Sequence, residues 1–240
     1  MAWRFTPRWY SVLLTVAALP LFVALGSWQW QRGQARQAQW EEFARTDAPA
    51  VQAGAASLPT LPRFSRVRVS GEPDGERQFL LENISHAGAP GYQVLTVLRL
   101  AEGSRLLVNR GWLPFSGYRE QLPNVRLPAA EAGGEWTVSG RLSGLPVAGL
   151  ASGQLGPALS GPWPRVASFP TLAQLEAAYG APLLPVVLLL DAGPTPGYLR
   201  DWTPPGLPPE RHVGYAVQWW CFAVLLLGLF IGLNLKKSNA

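Results

Sequence analysis

The chain has 240 residues but only one cysteine, one methionine and two histidines. Cys221 is alone, so no intramolecular disulfide forms, and no Cys-x-x-Cys-His haem-attachment motif is present. With Met1 the sole methionine, a copper carrier built on thiolates and thioethers is disfavoured. The Gly-x-Ser-x-Gly elbow, the P-loop and a zinc-ligand cluster are also missing, which leaves little for enzymatic chemistry outside a membrane. Acidic side chains are absent from both ends: all 15 lie between Glu41 and Glu210. Charge of either sign is absent from Val213 to Leu235.

That last gap is the first of two candidate membrane spans. Residues 213–235 rise about 1.5 Å each, enough to cross roughly 30 Å of hydrocarbon. A second apolar run occupies residues 9–28, with Pro20 expected to kink it and with Trp9, Tyr10, Trp28 and Trp30 as aromatic belts. Arg4, Arg8 and the small residues near Gly26 also fit a secretory signal peptide, but the run exceeds an ordinary h-region, and belts at both ends favour a retained helix.

Charge orients these spans. Of 20 basic residues Arg4, Arg8, Lys236 and Lys237 lie on the tails 1–8 and 236–240, and the rest lie between the two spans. Both termini are therefore expected in the cytoplasm, with the intervening chain outside it. Eight residues before the first span leave no room for a transit peptide, so a bacterial cell (inner) membrane is expected.

Between the spans, residues 29–62 read as a stalk and linker: a polar helical stretch from Gln29 to Ala44, then an Ala/Gly/Pro-rich segment from Pro49 to Pro62. Residues 63–205 carry β-rich runs at 66–70, 77–82, 92–100, 105–109 and 136–142. A sixth run, Pro185–Asp191, does not alternate and is expected to be buried on both faces. One helix is expected after Ser168 or Thr171 as cap, with Pro170 in its first turn and Gly180 ending it. This predicts a mainly antiparallel β domain, a partly closed barrel, flanked by two transmembrane α-helices. Residues 206–212 lead into the second span.

Two places carry candidate chemistry. In Leu107-Val-Asn-Arg-Gly-Trp-Leu-Pro114, a strand running into a turn, Asn109, Arg110 and Trp112 can form a recognition edge for a partner; equally, Trp112 can cap the core and Gly111 supply an unusual turn. His86 reads as a solvated loop residue. At the lip of the second span, His212, Tyr215, Ala216, Trp219 and Ala223 share one side of a helix. Neutral imidazole ligates iron, Tyr215 and Trp219 offer stacking surfaces, and the two alanines leave room for a porphyrin. His212 can equally be an interfacial anchor. On the opposite side Gly228 and Gly232 allow close approach of the first helix or of a partner's helix.

Five segments in order resemble one family: Leu25-Gly-Ser-Trp-Gln-Trp-Gln-Arg32, Val67-Arg-Val-Ser-Gly71, Gly91-Tyr-Gln-Val-Leu-Thr96, Leu107–Pro114, and His212-Val-Gly-Tyr-Ala-Val-Gln-Trp219. Together they resemble the surfeit-locus family of cytochrome c oxidase assembly factors. Val97, Arg36 and Glu210-Arg211 depart from the family's usual residues at their positions. The resemblance implies two membrane helices around an outer domain and a non-catalytic role in maturing the haem-copper centre. It implies haem A as a transient cargo on His212, which would be the iron ligand, with subunit I of the oxidase as partner and a haem A synthase as a further one. Membrane lipid is the other surroundings expected, and nucleic acid is not. The alternative is a cofactor-free scaffold that binds and stabilises subunit I.

Overall fold

The computed structural model describes residues 2–45, 49–117, 121–146, 159, 161–193, 198–204 and 206–238. In chain order they form β1 (Ala2–Phe5), α1 (Trp9–Ala44), β2 (Val51–Gln52), β3 (Arg66–His86), β4 (Ala89–Leu100), β5 (Arg105–Pro114), α2 (Ala129–Ala132), β6 (Trp136–Ser143), β7 (Arg165–Ala167), α3 (Leu172–Tyr179), β8 (Val187–Leu190), α4 (Pro209–Asn234) and β9 (Leu235–Ser238). Two units result: Met1–Ala44 with Pro204–Ala240, and Arg45–Thr203.

The second unit is a barrel. Strands β3, β4, β5, β8 and β6 are hydrogen-bonded in that order, and β6 returns to β3, so five strands close a ring. A ring with an odd number of strands cannot alternate throughout. Its one parallel junction is β5 with β8, and the other four are antiparallel. The expected mainly antiparallel barrel is present, and it is closed rather than partly open.

Alternation along the strands sorts the core into layers. Val67, Val69, Leu106, Val108, Leu188 and Leu190 belong to one cluster. Their neighbours Leu107 and Val187 join Phe79, Leu95 and Val97 in another, packed with Leu175 and Tyr179 of α3. Strand β8 is thus buried on both faces, as its unalternating sequence predicts.

The runs at 66–70 and 77–82 are one strand. A register shift between Pro73 and Gln78 lets β3 pair with β6 before it and continue along β4 after it. Helix α3 begins at Thr171, whose hydroxyl accepts from the Gln174 backbone N–H at 3.3 Å while the Gln174 side chain accepts from the Thr171 N–H at 2.8 Å. Pro170 therefore precedes the cap instead of occupying the first turn, and Ser168 bonds to the Glu82 carboxylate. Gly180 ends the helix in the left-handed region, as expected.

Residues 29–44 are helical, as expected, while the linker reading of the segment after them is corrected. Helix α1 continues without a break through Pro20 and on to Ala44, so residues 29–44 extend the first apolar helix. The Ala/Gly/Pro-rich segment is not a free linker: Ala53, Ala55 and Leu58 are buried in the barrel core, and β2 pairs with β3. Small and apolar residues there fill space against the barrel.

Where β3 bends, Asp74 ties it to α3. Its carboxylate accepts from Arg77 Nε at 2.8 Å, from the Tyr179 hydroxyl at 2.9 Å and from the backbone N–H groups of Arg77 and Glu76 at 3.0 and 3.1 Å. Burial alone pushes this carboxyl up, but the backbone N–H groups, the Tyr179 hydroxyl and the Arg77 guanidinium together hold it below the ordinary aspartate value. A carboxylate whose folded value is depressed stabilises the fold above its unfolded value, about 3.9, and loses that contribution as pH falls through the folded value. Acid melting of the wild type and of Asp74→Asn should therefore differ at neutral pH and begin to converge only as pH falls below about 4. Parallel curves at all pH would remove Asp74 from the acid transition.

Candidate functional site

Helices α1 and α4 are each long and apolar enough to cross a membrane, by length and composition. They run antiparallel, because contacts pair the end of one with the start of the other: Gly33 with His212, Gly26 with Trp220, Phe22 with Trp219, and Ser11 with Asn234. Close approach needs small residues at the seam. Ala216 is 0% and Ala223 5% exposed. A Cβ on Gly26 would lie 2.3 Å from Trp220 Nε1, and one on Gly33 would lie 3.4 Å from His212 Cβ.

Helix α4 starts at Pro209, so His212 lies in its first turn. Its Nδ1 is 2.9 Å from Oε1 of Gln29 on α1. An amide oxygen can only accept, so this contact is a hydrogen bond in the tautomer that carries the proton on Nδ1 and leaves the Nε2 lone pair available. Gln29, Arg32, Gly33 and Arg36 recur at helical spacing, placing two cations on the face of α1 that His212 meets. Arg36 extends to Gly206, with Nη2 2.7 Å from where a Cβ would stand there.

The remaining stripe residues are divided. Tyr215 is 44% exposed. Trp219 is half-buried and packs against Phe22 at 5.7 Å and Phe222 at 5.8 Å between ring centroids. The space expected beside Ala216 and Ala223 for a flat ring is taken by α1, because those alanines are what lets the helices meet. What stays accessible on this stripe is its outer edge, where Tyr215 is exposed and His212 half-buried. The residues present suit that edge: an oriented imidazole, an exposed aromatic ring one turn away, and arginines for the carboxylates of such a ligand.

The other side of α4 is open. A Cβ at Gly228 or Gly232 would meet nothing within 4 Å, so the first helix does not pack there, and Val224, Leu225 and Leu229 around them are exposed. Trp28 and Trp30 are exposed too, Trp30 lying 6.0 Å from Trp220.

In the barrel, the segment around Asn109 is a brace. Asn109 is 2% and Arg110 3% exposed, so neither presents a recognition edge. Asn109 donates to Gln93 Oε1 at 2.9 Å and accepts from the Gly111 N–H at 3.2 Å. Arg110 donates to the Val125 carbonyl at 2.9 Å and lies 5.2 Å from the Tyr198 ring centre. Trp112 is half-buried and donates from its indole to the Ile84 carbonyl at 2.9 Å. The backbone of Arg110 and Trp112 holds Tyr198 and Leu199 by three hydrogen bonds of 2.8 to 3.0 Å. Gly111 has φ +122, and a Cβ there would lie 2.8 Å from the Leu199 oxygen, so glycine is required. His86 is no free loop residue either: it ends β3, 5.4 Å from the Trp112 ring and 4.0 Å from an Asp201 carboxylate oxygen.

The motifs therefore interlock in pairs. Gly26 and Gln29 meet Trp220 and His212, while Gly91 makes room for the Trp112 indole, which a Cβ would approach to 2.4 Å. Gln29 is not among the site residues that the sequence motifs indicate, yet the spacing of Gly26, Gln29 and Gly33 puts small and polar residues on one face of an apolar helix. Gly26→Leu should force the helices apart at Trp220. Spin labels on Gln31 and Glu210, with Cys221 replaced by serine, should report a longer and broader distance; an unaltered distance would mean the indole simply turns aside.

Two helices long and apolar enough to cross a membrane flank a closed five-stranded barrel, an arrangement consistent with a membrane protein that carries a β domain. A family model described as the SURF1 family matches residues 16–224, and the chain belongs to that family, one of cytochrome oxidase assembly factors and not a catalytic one. A comparison with curated proteins finds no match.

Proposed function

We propose that this chain is a bacterial inner-membrane assembly factor that binds haem A reversibly through His212 and passes it towards subunit I of cytochrome c oxidase. The observation that carries the reading is the 2.9 Å contact between His212 Nδ1 and Gln29 Oε1. A histidine serving only as an interfacial anchor needs no fixed tautomer. One whose Nδ1–H is engaged has Nε2 turned into a dedicated acceptor, the arrangement found around metal-bound imidazoles. Bound haem would supply an iron atom with an open coordination position; this chain's residues hold the imidazole and orient it. Arg32 and Arg36 would receive the propionates, and Tyr215 would flank the ring at the lipid edge. With both tails basic, the termini would lie in the cytoplasm and the barrel outside it. A haem A synthase is the natural donor.

Protein purified from membranes that make haem A should carry substoichiometric haem with a histidine-ligated absorption band. His212→Ala should lose that band. Haem content unchanged by the substitution would remove His212 from the mechanism.

A scaffold reading is favoured by one observation, the open face of α4 around Gly228 and Gly232. There a helix of subunit I would find close approach without a clash. Gly228→Leu with Gly232→Leu should weaken co-purification of subunit I and leave haem content alone. The two readings are compatible, since they use opposite sides of one helix.

A further inference from the structure

We propose that the ribbon formed by the two chain ends binds the anionic phosphodiester headgroup of a membrane phospholipid. The proposal rests on α1 and α4 spanning a membrane and is independent of any haem. Strand β9 follows α4 without a loop and pairs antiparallel with β1, with Trp3 opposite Lys237, Arg4 opposite Lys236 and Phe5 opposite Leu235. Asn234 fastens the junction: it is buried, its carbonyl accepts from the Thr6 N–H at 2.9 Å, and its side-chain oxygen accepts from the Arg8 N–H at 3.3 Å.

Alternation gives this ribbon two faces. One carries Phe5, whose ring meets Phe230 edge-on at 5.7 Å, and Trp3, with the Lys237 ammonium 5.6 Å from its ring centre. The other carries Arg4 and Lys236, both exposed. Directly opposed side chains in an antiparallel pair stand about 5 Å apart at Cβ, and like charges there repel. No side-chain carboxylate among the described residues pairs with either. None in the helical unit is near: Glu210 lies at the opposite end of α4, roughly 36 Å from Asn234 by helix rise, and Glu41 and Glu42 lie at the far end of α1.

Two cations held together with no side-chain carboxylate paired to them among the described residues, at the tip of an apolar helix pair and beside exposed Trp3, Trp9 and Tyr10, sit at headgroup depth. A phosphodiester bridging Arg4 and Lys236 turns the repulsion into two charge-assisted contacts, while the aromatic rings occupy the layer beneath. Zwitterionic lipid offers the same phosphate with a cancelling cation. The geometry therefore selects net negative headgroups.

The test uses native mass spectrometry of the full chain released from detergent with phosphatidylglycerol or phosphatidylcholine added. Wild type should retain phosphatidylglycerol over phosphatidylcholine by roughly 30-fold, from about 1 kcal/mol for each of two cations near a headgroup. Arg4→Gln with Lys236→Gln should bring the ratio close to one. Arg4→Glu, which can pair with Lys236 and so keeps the ribbon closed, should do the same. Equal retention of the two lipids by wild type, an undiminished preference in either variant, or complete displacement by an equal concentration of inorganic phosphate would overturn the proposal.

Discussion

Gln29→Leu should lower the affinity for haem by about 10- to 100-fold, the usual effect of removing the partner that orients a metal-bound imidazole. The substitution leaves His212 in place and keeps a side chain of similar size against it. It removes only the acceptor 2.9 Å from Nδ1. With that acceptor gone the ring no longer has a preferred tautomer, and a fraction of molecules presents a protonated Nε2. Gln29→Glu should act oppositely: a carboxylate is a stronger acceptor, so it raises ligand basicity and should lower the reduction potential of the bound iron. A haem titration followed by potentiometry checks both. Equal affinity in wild type and Gln29→Leu would show that the cross-helix contact does not serve ligation.

Arg110→Ala should cost the barrel about 3 kcal/mol or more. Its guanidinium is buried, and burial pulls it below the ordinary arginine value, so it is held in the fold at a desolvation cost that its partners must offset. Truncation leaves the Val125 carbonyl without its donor and a cavity beneath Tyr198. The loss should appear as a lowered denaturation midpoint of the barrel and as reduced amounts of folded protein in cells. Weakened recovery of subunit I with such a variant would follow from instability, which the denaturation curve separates from a lost contact surface. A variant with unchanged midpoint and poor recovery of subunit I would restore Arg110 to a partner-binding role.

Much of the fold was legible because the relevant signals are local. Two uncharged runs marked α1 and α4, the unalternating run at 185–191 marked a strand covered on both faces, and Thr171 with Gly180 bracketed α3. Failures came where tertiary contacts decide. The gap between the runs at 66–70 and 77–82 reads as a break, yet a bulge carries one strand through it. The Ala/Gly/Pro-rich segment has a linker's composition, but Leu58 among small residues packs into the core. Strand β7 has three residues and no pattern to find.

The candidate site shows the same limit. Helical periodicity correctly gathers His212, Ala216, Trp219 and Ala223 on one side of α4, but it cannot say what faces them. Small residues on a stripe serve a ligand or a neighbouring helix equally well, and here they serve α1. Likewise Asn109 and Arg110 have the chemistry of a recognition edge and the burial of a brace. Polarity in a strand does not reveal which way its side chains point until the barrel's register is known.

The central claim is that His212, held by Gln29, is the point at which haem attaches. Imidazole added to His212→Gly protein offers the most direct measurement, because a free imidazole fills the cavity left by the side chain without restoring anything else. If the claim holds, His212→Gly is purified without the haem band, and haem A supplied together with imidazole restores a histidine-like spectrum. If His212→Gly carries as much haem as wild type, with the same spectrum and no response to imidazole, the iron is bound elsewhere and the account is wrong.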